Sequence, residues 1–474
     1  MVSYPELGSK LYLFAIGGTG SRVLRSLTMM MAAGVRMDVD EVVPIIIDPD
    51  ASNQNLTDTV QLMNEYRETR NGLTFPQGVK TQFFRKELSQ ILPNYTLRIL
   101  NTNNKKFKQF IDYSSVQSTP TKAMLKMLFS EKNLDSSMDV GFKGNPNIGS
   151  VVLNQIVASN DFTEFANNFS AGDKIFIISS IFGGTGASGF PLLLKTLRTN
   201  TVMPNNDLIN NAEIGAITVL PYFKVEQNSD SEIDSSTFIS KTKSALAYYE
   251  NNIIANNSIN ALYYLADDVT NTYDNNEGGS KQRNDAHLIE FLAATAVADF
   301  CNNSYQSGAT VNKELGIKDI MGSVTFDSFD SSLQTLLFAP LTEYILMANC
   351  LTHKESYYSS KSFNANNDNF KNLYNTSFFT VLKSMCSSYL KWLEEMKNNK
   401  RSLDLFNLSS ADKPFDVVTG LKPKKVLSTK SDYDLVTDRL NSAVKHCDSK
   451  DNNDKFLEMF FLGTQKLLKE KFNA

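Results

Sequence analysis

The segment IFIISSIFGGTGASGFPLLLK, residues 175–195, constrains this chain more than any other. A β-branched apolar run ends at Ser179 or Ser180, glycines crowd the stretch from Gly183 to Gly189, and apolar residues at helical spacing follow. The pattern predicts strand, turn and helix in that order, the helix opening near Pro191, because proline suits a first helical turn. Glycines let a backbone approach phosphate oxygens closely, while the amides of the turn and of the helix start supply donors and a positive dipole. Gly183, Gly184, Thr185, Gly186 and Ser188 are therefore candidate phosphate contacts, Thr185 and Ser188 through their hydroxyls. Read alone, such a turn also serves as a plain tight connection.

A second turn of this kind, FAIGGTGSRVL at 14–24, supplies Gly17, Gly18 and Gly20, with Ser21 placed to cap the next helix. It meets neither the G-x-G-x-x-G spacing of a dinucleotide fold nor the lysine-bearing phosphate loop. The following apolar run ends in IIIDPDASNQN, with Asp48 and Asp50 at its tip. An acidic strand-end residue accepts from ribose hydroxyls or holds a water of a phosphate-bound Mg²⁺, and capping a turn is the alternative for either aspartate. Lys10–Ile16, Val42–Ile47, Lys174–Ser179, Ile214–Leu220 and Ala261–Leu265 read as strands buried on both faces. They alternate with helical segments up to about residue 340, and helical spacing dominates after it. The predicted class is α/β: a mostly parallel sheet flanked by helices over 1–340, then a helical C-terminal region over 341–474.

Composition narrows the function. Lys and Arg number 47 against 51 Asp and Glu, a net charge of −4, which disfavours nucleic acid as a direct ligand. The four cysteines form no C-x-x-C pair, and only three histidines are present, so a zinc site, a disulfide framework and His-dependent nucleophilic catalysis are all disfavoured. No secretory signal and no uninterrupted apolar stretch of membrane-spanning length stands out, so a cytoplasmic protein with no membrane span is expected.

The order of the motifs is what carries a resemblance. FGGTGASG at 182–189 resembles the glycine-rich signature loop of the tubulin and FtsZ superfamily, FAIGGTGS its first loop and IDPDAS its second. GFKGNPNIG at 141–149 is similar to the third loop, which in that family faces the γ-phosphate. GAITVLPYF and NALYYLADD resemble the next two strands, and QRNDAHLIEFLAATAVADF at 282–300 the long central helix, whose entry carries a guanine-reading Asn-Asp pair. The resemblance implies a GTP-binding domain that takes GTP or GDP with Mg²⁺. Gly17, Gly18, Gly20, Ser21, Gly183, Gly184, Thr185, Gly186 and Ser188 would hold the phosphates. Asn145 and Gly149 would lie by the γ-phosphate, Asp50 near the metal or ribose, and Asn284 and Asp285 at the base, where helix capping is the other reading.

In that family the active site is completed by an acidic loop of the neighbouring subunit. Here GSVTFDSFDSSLQTLL places Asp327 and Asp330 at the corresponding point, with Thr325 where the family has asparagine. The resemblance implies slow GTP hydrolysis coupled to head-to-tail self-association. Asp330 followed by Ser331 is also a plain helix cap. The family's β-rich second domain has no counterpart after residue 340, so a nucleotide-gated scaffold, binding GTP or GDP without hydrolysis and engaging another protein through the C-terminal helices, stays open. An NAD-dependent dehydrogenase rests on the first glycine turn alone.

Overall fold

A computed structural model of the chain describes residues 9–50, 52–138, 141–142, 144–226, 237–269, 271–274, 279–315, 317–318, 322–361, 363, 369–409, 412–424 and 430–472. Seven strands form one sheet: β1 (Lys10–Ile16), β2 (Glu41–Ile47), β3 (Glu87–Leu88), β4 (Lys174–Ser180), β5 (Glu213–Val219), β6 (Ala261–Leu265) and β7 (Val311–Glu314). Their order is β3-β2-β1-β4-β5-β6-β7 and every pairing is parallel. β1, β2, β4 and β5 are buried at every residue but the first, as strands covered by helices on both faces must be. The chain is thus α/β, with a helix-flanked parallel sheet and a helical C-terminal region.

Strand order runs one way from β1 to β3 and the other way from β4 to β7. The crevice between the carboxyl ends of β1 and β4 is therefore the switch point of the sheet, where such folds bind ligands. Both glycine turns lie there. Helix α1 (Gly17–Ala32) follows β1 without an intervening residue, and α4 (Gly184–Thr199) follows β4 after three intervening residues. Gly17 has φ of +71°, a conformation glycine adopts without strain. A Cβ on Gly20 would lie 2.5 Å from the Ala15 carbonyl carbon, and one on Gly186 would lie 2.6 Å from the Ser180 oxygen. Both helices are docked this closely because those positions carry no side chain.

That docking explains the differences from the sequence reading. Helix α4 begins at Gly184, seven residues before Pro191, which sits inside it. Packing against β4 holds the glycine-rich stretch helical in spite of its low propensity. Ser21 does not cap α1; it lies in its second turn and donates to the Gly17 oxygen at 3.3 Å. The central helix, α6 (Leu288–Cys301), starts six residues later than expected, since His287 and Glu290 cap it together. Strand β7, whose four residues are mostly exposed, lacked the apolar run used to find strands.

The other helices that matter are α2 (Gln54–Asn71), α3 (Pro146–Leu153), α5 (Phe238–Tyr249), α7 (Ser331–His353), α8 (Ser377–Asn398), α9 (Asp432–Ala443) and α10 (Asn452–Phe472). Helix α7 runs through residue 340, packing on α8 and α10. By length and a mean hydropathy of 1.2 it could cross a membrane, a stretch the sequence reading passed over, yet 67% of that window is buried in the protein. Buried carboxylates fasten the C-terminal helices to the first half: Asp454 accepts from Thr74 N and Phe75 N, and Glu458 from Lys80 N.

Replacing Gly20 with alanine should cost on the order of 2–4 kcal/mol, because the new methyl meets backbone rather than a yielding side chain. Gly18, whose added Cβ would meet nothing nearer than 3.9 Å, should tolerate alanine within about 0.5 kcal/mol. Denaturant unfolding of the two variants checks this, and equal midpoints would refute the packing argument.

Candidate functional site

Neither α1 nor α4 has a side-chain cap. Ile16 and Gly183 stand at their N-caps and offer no acceptor, so first-turn N–H groups of both helices are left to face the crevice. A Cβ on Gly17 would lie 3.4 Å from Thr185 Cβ, so the two turns are in contact. Above them opens a cavity of about 560 Å³ lined by Gly17, Gly18, Gly183, Gly184, Thr185 and Gly186 from the turns. Residues 141, 142 and 144 form another wall, and backbone packs there: a Cβ on Gly184 would meet Gly144 N at 3.0 Å and Asn145 N at 3.1 Å.

Asp48, Asp50, Asn53 and Asn55, just past β2, line the cavity beside Gln282, Asn284 and Asp285, which precede α6. An amide lattice ties these two segments together. Asn53 Nδ2 donates to Gln282 Oε1 at 2.8 Å, Asn55 Nδ2 to Asn284 Oδ1 at 3.0 Å, and Asn284 N to Asn55 Oδ1 at 2.8 Å. Asp50 is a brace in the same lattice, accepting from Ser52 N, Ser52 Oγ and Gly279 N. Asp48 accepts one bond, from Asp50 N at 3.0 Å. Burial, with the Asp50 charge adding to it and that bond opposing, pushes its carboxyl up to about 7.

Of the sequence-predicted residues, Gly17, Gly18, Asp50, Gly183, Gly184, Thr185, Gly186, Asn284 and Asp285 are brought together here. Gly20, Ser21, Gly149 and Ser188 sit behind the wall: Ser188 Oγ donates to the Gly184 oxygen at 2.7 Å, and Gly149 packs against that hydroxyl. Asn145 is the N-cap residue of α3. Asp327 and Asp330 are exposed and do not line this cavity. Asp330 caps α7, accepting from Leu333 N at 2.9 Å and Ser332 Oγ at 2.7 Å, bonds that hold its carboxyl below the usual range. Ser332 and Leu333, next to it, line a second cavity with Ala33, Gly34 and Asn302, which follow the carboxyl ends of α1 and α6. Lys143 and Ala51 of the motif loops lie outside the described residues.

Sequence reading missed one wall entirely. Arg22, one turn into α1, stands 2.7 Å from Glu290 of α6, without the alignment of a hydrogen bond, and donates to Tyr222 Oη at 2.8 Å. Glu290 is buried, which raises its carboxyl above the ordinary range, Arg22 opposing. His287 caps α6 through Nδ1, which accepts from Ile289 N, so its Nε2 carries the proton; burial, then Arg22 and Arg401, lowers it to about 3 and keeps it neutral. Phe182, Phe223 and Phe238 pack at the same wall, with ring centroids 5.0 Å apart for Phe182 and Phe238. The signal available was a glutamate in the first turn of a helix that is almost wholly apolar up to Asp299. Asn398, Asn399 and Lys400, at the end of α8, also line the cavity, and Asn399 donates to the Ala286 oxygen at 3.0 Å.

No family model matches the sequence, and no curated protein matches it. Among solved structures, CetZ2 from Haloferax volcanii, described as a GTPγS-bound protofilament, is similar at 12% identity with a TM-score of 0.27. The match covers 54% of this chain and 49% of that one, so the chain spans about half the length of that structure.

Without ligand, folded Asp48 keeps its proton to about pH 7, whereas the unfolded carboxyl loses it near pH 3.8. Stability should therefore fall as pH rises between those values and level off above them. Asp48→Asn should remove this part of the slope, gaining ~2–4 kcal/mol over wild type at pH 7.5 and little at pH 4. Denaturant midpoints across that range report it, and parallel curves for the two proteins would contradict it.

Proposed function

We propose that the chain binds GTP or GDP with Mg²⁺ in this cavity and hydrolyses GTP slowly when a second copy docks head-to-tail over it, as the tubulin and FtsZ proteins it resembles do. The observation that carries the reading is the convergence of two uncapped helix starts, α1 and α4, on one crevice at the switch point of the sheet. Two sets of unpaired N–H groups and two positive dipole ends suit a polyphosphate. Gly17, Gly18, Gly183, Gly184 and Gly186 would take the phosphates through their backbone and Thr185 through its hydroxyl, while Gly20, Ser21, Gly149 and Ser188 set the shape from behind. Asn284 and Asp285 would meet the base.

Mg²⁺ supplies charge neutralisation to the phosphates when bound. The donor set fits it: Asp48, Asp50, Asp274, Asp285 and Glu290 line the cavity against Arg22, Arg283 and Lys400, so a bare polyphosphate would be repelled. No cluster of three metal-ligating side chains occurs among the described residues, as suits an ion held largely by phosphate and water. Asp48, which has an oxygen to spare, would hold the ion or its water, and Asp50 would keep that loop in place.

No carboxylate in the cavity is placed by this reading as the base that orients water, so Asp327 and Asp330 of a second copy would fill that role. Asp330 already serves as a cap, which favours the second reading, a nucleotide-gated scaffold acting through the C-terminal helices.

Gly184→Val should abolish nucleotide binding, since its side chain would collide with the backbone at 144–145 and force that wall away from the start of α4. Turnover per molecule should rise with protein concentration. Asp327→Asn and Asp330→Asn, the second of which keeps the α7 cap, should each reduce turnover at least 100-fold with nucleotide affinity within about threefold. Calorimetry and phosphate release at several concentrations decide among the readings. Binding without turnover at any concentration selects the scaffold; turnover undiminished in both variants rejects the shared site.

A further inference from the structure

The second cavity, about 410 Å³, is separate from the nucleotide pocket and has its own chemistry. One face of α7 supplies Ser332, Leu336, Ala339, Pro340 and Glu343, and Phe461 of α10 stands across from it. Glu343 is 5% exposed, and among the described residues its carboxyl has no hydrogen-bond partner. Buried polar groups in folded chains are nearly always satisfied, and a carboxyl that faces a cavity without a protein partner takes its partner, water or ligand, from that cavity. Burial pushes it up to about 8, with Lys469 of α10 the only charge acting against that rise.

A second acceptor lies on the same face. Pro340 has no N–H, so the Leu336 carbonyl one turn earlier lacks its helical donor. Leu336 and Glu343 are seven residues apart, two turns along one stripe, with Ala339 and Pro340 between them. Most other polar groups of the wall are engaged elsewhere: Asp299 by Tyr263 and Lys313, Arg36 by Asp38, Asn302 by the backbone at 36 and 38, Gln82 by the Lys80 oxygen, Ser332 by Asp330 and Thr335 by the Ser331 oxygen. Gln465 of α10 is the exception, an amide on the wall with no protein partner among the described residues. What remains is a part-apolar chamber with acceptors at Leu336, Glu343 and Gln465, and the one cation that lines it, Arg36, is paired with Asp38.

We propose that this cavity binds a small organic cation, an ammonium group on an apolar body, with Glu343 as its counter-ion and the Leu336 carbonyl as its second acceptor. The volume suits a ligand of that size. An ammonium brings donors for both groups, and its apolar body covers Leu333, Leu336, Ala339 and Phe461. This site is independent of the nucleotide reading.

Benzylammonium is the probe, titrated into the full chain by calorimetry, with benzyl alcohol as its neutral counterpart. Saturable binding is expected, at least tenfold tighter for the cation and at least tenfold weaker in Glu343→Gln. Ala339→Phe, which fills the chamber and leaves Glu343 in place, should abolish it without lowering the melting temperature, and decides the matter if Glu343→Gln fails to fold. Equal affinity for the two probes, full binding by either variant, or no saturable binding of benzylammonium would overturn the proposal. Since aromatic rings and carboxylates also line the nucleotide pocket, binding lost in Gly184→Val but kept in Ala339→Phe would place the cation there and likewise overturn it.

Discussion

The arrangement depends on how closely two helices sit on the two strands that precede them. At Gly20 and Gly186 no Cβ fits between helix and strand backbone, so α1 and α4 are drawn to the same crevice between β1 and β4. That approach leaves their first-turn N–H groups without side-chain caps. Uncapped helix starts are stable where an anion or water replaces the cap, and two of them side by side point to an anion with several charged groups. Everything else around the crevice adapts to this pair: the wall at residues 141–145 closes over Gly184, and the amide lattice of Asn53, Asn55, Gln282 and Asn284 braces the other flank.

The charge pattern accords with that geometry. Backbone dipoles are the positive element at the floor of the cavity, where its one deep arginine is taken by Glu290 and Tyr222, while Arg283 and Lys400 line it elsewhere. The C-terminal helices take part as well. Arg25 of α1 pairs with Glu395 of α8 at 2.8 Å, the same glutamate accepts from Ala286 N, and Trp392 Nε1 donates to Ser26. A shift of α8 would therefore move α1 and the entry to α6 together, so the helical region is mechanically part of the pocket although it lies far from it in sequence.

Sequence made the sheet and the turns legible because both leave local marks. Runs such as KIFIISS hold four consecutive apolar residues with no alternation, and clustered glycines have few other uses; the five expected strands were found within a residue of their ends. Helix starts were less legible. Pro191 and the Asn284–Asp285 pair carry the local propensities of a start, but packing at Gly186 and the His287–Glu290 cap set the real ones. The Arg22–Glu290–Tyr222 cluster joins residues up to 268 positions apart, and no local pattern encodes such a meeting.

The buried carboxyls of the chain show how unequal their surroundings are. Asp454 accepts three bonds, from Thr74 N, Thr74 Oγ1 and Phe75 N, and Glu458 takes three backbone N–H groups. These residues stitch elements together, and their acceptors are filled by the fold itself. Among the described residues Asp48 has one bond and Glu343 none, and each of the two lines a cavity. Stability alone would favour an amide or an apolar side chain at both positions, because an unpaired buried carboxyl opposes folding at neutral pH. Buried acids whose acceptors the fold leaves open, beside others such as Asp454 and Glu458 whose acceptors it fills, are the ones with room for partners from outside the chain, which is what the two proposals assign to Asp48 and Glu343.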